Sequence, residues 1–253
     1  MKLIYVAVFP VILLLFYIYK KDIDKEPRGI LTRLFIFGGI SVIPLAILEL
    51  IMSSLIPGDF YPTFMSTFIA TFVKIGMVEE FGKWFITYLC TYRRREYNHA
   101  YDGIVYAVFA SLGFACIENI IYVLSSGFST GIMRAFLSVP SHAVDAVFMG
   151  VLLSKSKQYL VNKDNGKAFK YLLLSIFVPA ITHSVYDGLI FYYQSSENEV
   201  ALLLFFGLVI VSYIVSFLLI KKEAKKDFNF DGTPCRTVVP TTTVIPTEQP
   251  KTV

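Results

Sequence analysis

Five residues of this chain could activate water, and each of them interrupts an apolar stretch. Glu79 and Glu80 lie with Lys83 in TFIATFVKIGMVEEFGKWFITYL, Glu118 in FACIENIIY, His142 in PSHAVDAVFMG, and His183 in THSVYDG. Two carboxylates and two imidazoles brought together can hydrolyse a carbonyl compound: a glutamate takes the proton from water, and a histidine donates to the carbonyl oxygen or the leaving amine. The same types of side chain can instead hold a metal, since two histidines with one or two glutamates suit zinc. Glu79, Glu118, His142 and His183 would then be the ligands, and a divalent metal is possible without being required.

Helical spacing gives several of these groups a neighbour. Lys83 follows Glu79 by four residues and Glu80 by three, within reach of both across one turn. A Glu–Lys pair that merely neutralises itself would leave the second carboxylate unexplained. Asp145 follows His142 by three residues and Asp187 follows His183 by four, so each aspartate is expected to contact its own histidine, fixing the tautomer. Asp145 is the weakest of the group and could simply support packing. His99, the third histidine, sits in an arginine-rich connector and is expected to be structural.

Several hydrolytic classes are missing their signatures. No HExxH is present for a standard zinc protease, and no GxSxG turn for a serine nucleophile. Tyr-Asp occurs at Tyr101–Asp102 and Tyr186–Asp187, but without the GxGD that accompanies it in intramembrane aspartyl proteases. Cys90, Cys116 and Cys235 form neither a CxxC nor a disulfide framework.

The elements that must position these groups are membrane helices. The chain has 253 residues, 55% hydrophobic and only 17% charged, with mean hydropathy +0.62; a soluble fold cannot hide that much apolar surface. The fold class expected is an all-α polytopic bundle of about seven transmembrane helices: Leu3–Tyr19, about Ile30 to Ile56, Thr67–Tyr92, Tyr101–Leu124, Ile132–Leu153, Phe169–Tyr193 and Val200–Ile220. Pro57-Gly58-Asp59 reads as a turn, and SSGFSTG after Leu124 as a loop. Residues 1–226 form the membrane domain, and the Thr/Pro-rich tail 227–253 is expected to lack fixed structure.

Lysines and arginines alternate along the connectors: five in Lys20–Arg33, none in Pro57–Thr63, three in Arg93–Ala100, none in Ser125–Gly131. Five follow in Lys155–Lys170, none in Gln194–Glu199 and four in Lys221–Lys226. The positive-inside rule then puts the N-terminus outside a cell membrane and the C-terminus in the cytosol. The net charge of +4 is spent on these short runs, which gives no reason to expect nucleic acid as a partner. Counting helical rise from the outer ends places Glu118 about 9 Å deep, His142 and His183 about 15 Å, and Glu79 about 25 Å, a count that shortens if its helix starts later than Pro62. They share a slab in the outer half to middle of the bilayer.

EExxK (Glu79, Glu80, Lys83), FxxxEN (Phe114, Glu118, Asn119), the helical His142, and HxxxD (His183, Asp187) together resemble the PrsW family of intramembrane proteases, from about Val73 to Leu189. The related type II CAAX prenyl proteases and bacterial self-immunity proteases carry EExxxR and a histidine in the second motif, where this chain has a lysine at shorter spacing and Glu118. The resemblance implies a glutamate-dependent membrane endopeptidase that makes the first cut in single-pass proteins such as anti-sigma factors, on the extracytoplasmic side. It implies Glu79, Glu80, Glu118, His142 and His183 as catalytic residues, with Lys83, Asn119 and Asp187 in support. The competing readings are an ion- or proton-coupled transporter, in which the same groups form a relay, a CAAX-like prenyl protease, and a non-catalytic scaffold that retains the family fold.

Overall fold

The computed structural model describes residues 2–56, 63–226 and 229–235. Eight α-helices run through the described residues: α1 (Lys2–Lys21), α2 (Arg28–Leu55), α3 (Phe64–Thr71), α4 (Met77–Thr91), α5 (Asp102–Phe136), α6 (Ser138–Val161), α7 (Asn165–Ser196) and α8 (Glu199–Glu223). A π-helical turn, Phe72–Gly76, joins α3 to α4. The turn expected at Pro57-Gly58-Asp59 lies outside the described residues.

Among the described residues, five stretches are long and apolar enough to cross a membrane: Leu3–Lys21, Arg28–Leu55, Asp102–Val161, Asn165–Ser196 and Glu199–Glu223. The third of these is 60 residues long and is folded into α5 and α6. The α3–α4 stretch is not among the five, since it carries Lys74, Glu79, Glu80 and Lys83. With α5 and α6 separated, and α3–α4 taken as one, all seven expected stretches are helical. Large apolar side chains such as Phe9, Phe16, Leu50, Leu89 and Leu203 stand exposed on the outer faces, as lipid-facing surfaces require.

The segment SSGFSTG is not the loop its composition suggests. It is helical on both sides of Gly127, whose φ of 87° breaks α5 into two arms. The second arm turns back along the first, so that a Cβ on Gly131 would touch Val123.

The first arm of α5 is the centre of the bundle, with Tyr101 and Ile104 to Val108 fully buried. It packs against α1, α2 and α6. Small residues let the backbones meet: a Cβ on Gly38 of α2 would overlap the Ala110 carbonyl, and one on Gly150 of α6 would overlap that of Gly103. Close approach of this kind replaces the hydrophobic drive that lipid cannot supply between helices.

One end of the bundle holds a second buried polar group, made from the α1–α2 and α4–α5 connectors. Tyr106 donates its hydroxyl to Glu26, and Asp102 Oδ2 accepts from the backbone amides of Asn98 at 3.0 Å and His99 at 2.7 Å. His99 Nε2 lies 2.6 Å from the Lys226 carbonyl oxygen. Of the tail expected to lack fixed structure, residues 229–235 pack here: Phe230 donates its amide to the Asn98 carbonyl at 2.8 Å, its ring leans on Tyr97, and Cys235 is buried. The other tail residues, 227–228 and 236–253, lie outside the described residues.

Burial pushes the Glu26 carboxyl up to about 7, against the Tyr106 hydrogen bond that favours its charged form, and the Asp22 carboxyl up to about 6. Folding therefore favours the protonated acid, and the unfolded chain releases those protons at lower pH. The contribution of Glu26 to stability is complete below about 4.5 and is lost as pH rises to about 7. The native protein should melt at progressively lower temperature from pH 4.5 to 7 in detergent, and Glu26→Gln should flatten that slope; equal slopes would show that Glu26 does not titrate in this window.

Candidate active site

The π turn and the contact of α4 with α7 set the site. A Cβ on Gly76 would overlap the Ser184 hydroxyl and crowd the Ala180 carbonyl, and Thr71 donates its hydroxyl to the Ser184 carbonyl at 3.1 Å. With the two helices this close, the charged face of α4 meets α7 one turn before Asp187. α5 and α6 close the other side.

Lys83 is the hub. Its ammonium donates to Glu79 Oε2 and to Glu80 Oε1, both at 2.8 Å, and lies 3.1 Å from His142 Nδ1 and 4.3 Å above the Phe114 ring. The three protons of the ammonium meet three acceptors, and the side chain is fully buried. Both carboxylates are buried too, and the one ammonium offsets part of their charge in a setting where each group alone would be costly.

The imidazoles reach in from α6 and α7, with ring centres 5.5 Å apart. His183 Nδ1 is 3.0 Å from Glu80 Oε1, and its Nε2 is 3.3 Å from Asp187 Oδ2, the expected i+4 contact. His142 Nε2 is 3.0 Å from Glu118 Oε2. Asp145 does not pair with His142 as its spacing suggests. It accepts the Thr182 hydroxyl at 2.5 Å and stands 3.8 Å from His183, because α6 turns that face to α7.

The five residues singled out for catalysis thus meet. Glu79, Glu118, His142, His183 and Asp187 line a cavity of about 620 Å³ between α2, α4, α5, α6 and α7. Glu80 and Lys83 lie behind it, and neither has any exposed surface. Asn119 supports the helices more than the cavity: its Nδ2 donates to the Ala7 carbonyl at 2.8 Å, tying α1 to α5. Two lining residues come as additions. Glu49 of α2, which its place near a helix end suggests is interfacial, faces the cavity; so does Arg134, which donates to Glu118 Oε2 at 2.6 Å.

Glu79, Glu80, His142 and His183 can each offer one ligand atom within 4.8 Å of the others, and Glu80 Oε2 is buried with no hydrogen-bond partner. This donor set suits a divalent metal. Glu118, included among the possible ligands by sequence, stands at the opposite ring nitrogen of His142 from Lys83 and is not one of these four.

A helix bundle built for a membrane, with carboxylates and imidazoles converging on one embedded cavity, has the makings of an intramembrane hydrolase. The family described as PrsW family intramembrane metalloprotease matches residues 26–219, and the chain belongs to that family. Among its relatives are Protease PrsW of Oceanobacillus iheyensis, 38% identical over 72% of this chain and 79% of the relative, and Protease PrsW of Geobacillus kaustophilus, 38% identical over 75% and 80%. Protease PrsW of Bacillus subtilis is 35% identical over 72% and 79%. No solved structure matches the chain. The protein is a multi-pass membrane protease.

Lys83→Met would leave two buried carboxylates without their cation. It should destabilise the protein by about 3–5 kcal/mol, the usual cost of removing one partner of a buried ion pair, with part of the loss recovered when Glu79→Gln is added. Unfolding in mixed micelles would measure both, and an unchanged stability for Lys83→Met would show that the Lys83 contacts to Glu79 and Glu80 are not ion pairs.

Proposed function

We propose that this protease is a glutamate-type endopeptidase that cuts single-pass membrane proteins near their extracytoplasmic end, with Glu79 as the group that activates water. The observation that carries this reading is the division of labour between the two neighbouring glutamates. Glu79 faces the cavity together with His142 and His183, whereas Glu80 is sealed behind it and bound to Lys83 and His183.

In this reading the Glu79 carboxylate takes a proton from water as the water oxygen adds to the scissile carbonyl. The proton then passes to the leaving amine as the C–N bond breaks, giving a carboxylic acid and a free amine. His183, an imidazolium when both of its nitrogens donate to Glu80 and Asp187, places positive charge beside the developing oxyanion, and His142 lines the same cavity. Asp187 and Glu80 hold the two nitrogens of His183, and Lys83 keeps Glu79 beside the cavity. A divalent metal, when bound, would be held by Glu79, Glu80, His142 and His183 and would polarise the carbonyl or lower the pKa of water.

The side of attack follows from the proposed topology, with the N-terminus outside and the C-terminus in the cytosol, supported by the charge alternation of the connectors. The cavity-lining residues then belong to the outer half of the bundle. A first, site-1 cut in an anti-sigma factor fits that side, and supports the substrate class implied by the family resemblance.

The test is cleavage in proteoliposomes of a single-pass protein with an exposed extracytoplasmic juxtamembrane segment, with new termini mapped by mass spectrometry. Glu79→Gln should lower the rate by about 10²–10⁴-fold, the usual share of a general base, and His183→Ala should abolish cleavage. Glu79→Gln cleaving at the native rate would remove Glu79 from the role. No cleavage of any candidate, with proton or ion flux dependent on the same residues, would favour a transporter. Loss of cleavage with a chelator, restored by a divalent metal, would add the metal to the mechanism.

A further inference from the structure

Arg134 belongs to none of the motifs that mark the site, yet it is gripped more completely than most of the residues in them. It follows Glu118 by 16 residues, which in a straight helix would hold the two about 24 Å apart. The reversal at Gly127 brings them into contact. Its Nη2 donates to Glu118 Oε2 at 2.6 Å, its Nε donates to Asn119 Oδ1 at 2.9 Å, and the guanidinium carbon lies 4.1 Å from the centre of the Tyr122 ring. Residues 118, 119 and 122 form one turn of the first arm of α5, so that arm presents an acceptor pair and an aromatic face to a single planar cation. A guanidinium satisfies both at once, whereas an ammonium is a point charge.

The same Glu118 oxygen lies 3.0 Å from His142 Nε2. On the other side of the ring, His142 Nδ1 faces the Lys83 ammonium at 3.1 Å. An ammonium only donates, so Nδ1 must accept and Nε2 carries the proton that Glu118 receives. The ring is thereby fixed in one tautomer between a cation on α4 and a carboxylate on α5, and that carboxylate is itself held by the returning arm.

We infer that Arg134 is a positioning residue: by clamping Glu118 it holds the His142 ring as the Nε2–H tautomer, with Nδ1 turned toward the Glu79–Lys83 helix. The part of this inference that concerns rate rests on the endopeptidase reading above; the part that concerns the ring does not.

The chain has three histidines, so nitrogen-15 NMR of histidine-labelled protein in bilayers can read each ring separately. In the native protein His142 should show two resolved signals, one for a bare and one for a protonated nitrogen. In Arg134→Gln those signals should merge towards an average as Glu118 is freed, with the His99 and His183 signals unmoved as evidence of folding. Arg134→Lys keeps the charge, and hence the fold, but cannot span Glu118 and Asn119; it should show partial averaging. In cleavage, Arg134→Gln should lower kcat by about 10–100-fold, the range for a residue that orients an active-site ligand, with KM unmoved. Glu118→Gln with Arg134→Gln should be no slower than Glu118→Gln alone, since the two act in one chain.

Resolved His142 signals that survive in both Arg134 variants, or rate losses that multiply, would overturn the inference. A native protein that shows the fixed ring and its loss in Arg134→Gln, but cleaves nothing, would overturn the endopeptidase reading and leave the positioning role in place.

Discussion

The burial of one ammonium between two carboxylates governs this structure. Lys83, Glu79 and Glu80 come from a single face of α4, and none can be left alone in an apolar bundle without a penalty of several kcal/mol. Once they are together, the remaining demands propagate outward. The third proton of Lys83 needs an acceptor, which His142 supplies from α6; Glu80 accepts from Lys83 and meets His183 from α7. Each partner recruits another helix, so a local i, i+3, i+4 pattern becomes a contact among four elements.

Much of this was legible in the sequence because it is local. The Glu–Lys spacing on α4 and the His183–Asp187 turn on α7 depend only on helical geometry, and both form as the periodicity requires. The convergence of Glu79, Glu118, His142 and His183 was expected from their place in overlapping depths of successive stretches. What sequence could not supply was rotation about each helix axis. His142 and Asp145 are spaced for a contact, yet the packing of α6 on α7 gives Asp145 to Thr182 and His183.

Arg134 was hidden for a different reason. Its nearest motif residue in the chain is His142, at the start of what reads as a new span, and the polar SSGFSTG run before it has the composition of a loop. Only the positive φ of Gly127 turns that run into a reversal that returns the arginine to Glu118. The available signal was a lone cation next to a stretch that has none, followed by apolar residues. The packing of Phe230 and Cys235 at the opposite end was equally out of reach, since the tail has neither periodicity nor a motif.

The π turn between α3 and α4 has a consequence for how the chain could change. Such a turn holds one residue more than an α-helix of the same length, and each residue in a helix accounts for about 100° of rotation. Thr71 on one side of it is fastened to α7, and the acidic face on the other side must point at the same helix. Winding all of Phe72–Gly76 as regular α-helix, with no residue lost, would swing one of these faces by about 100° towards lipid. The orientation of the acidic face is thus stored in the widened turn, so its relaxation to regular helix would uncouple the acidic face from the Thr71 anchor without any residue being replaced.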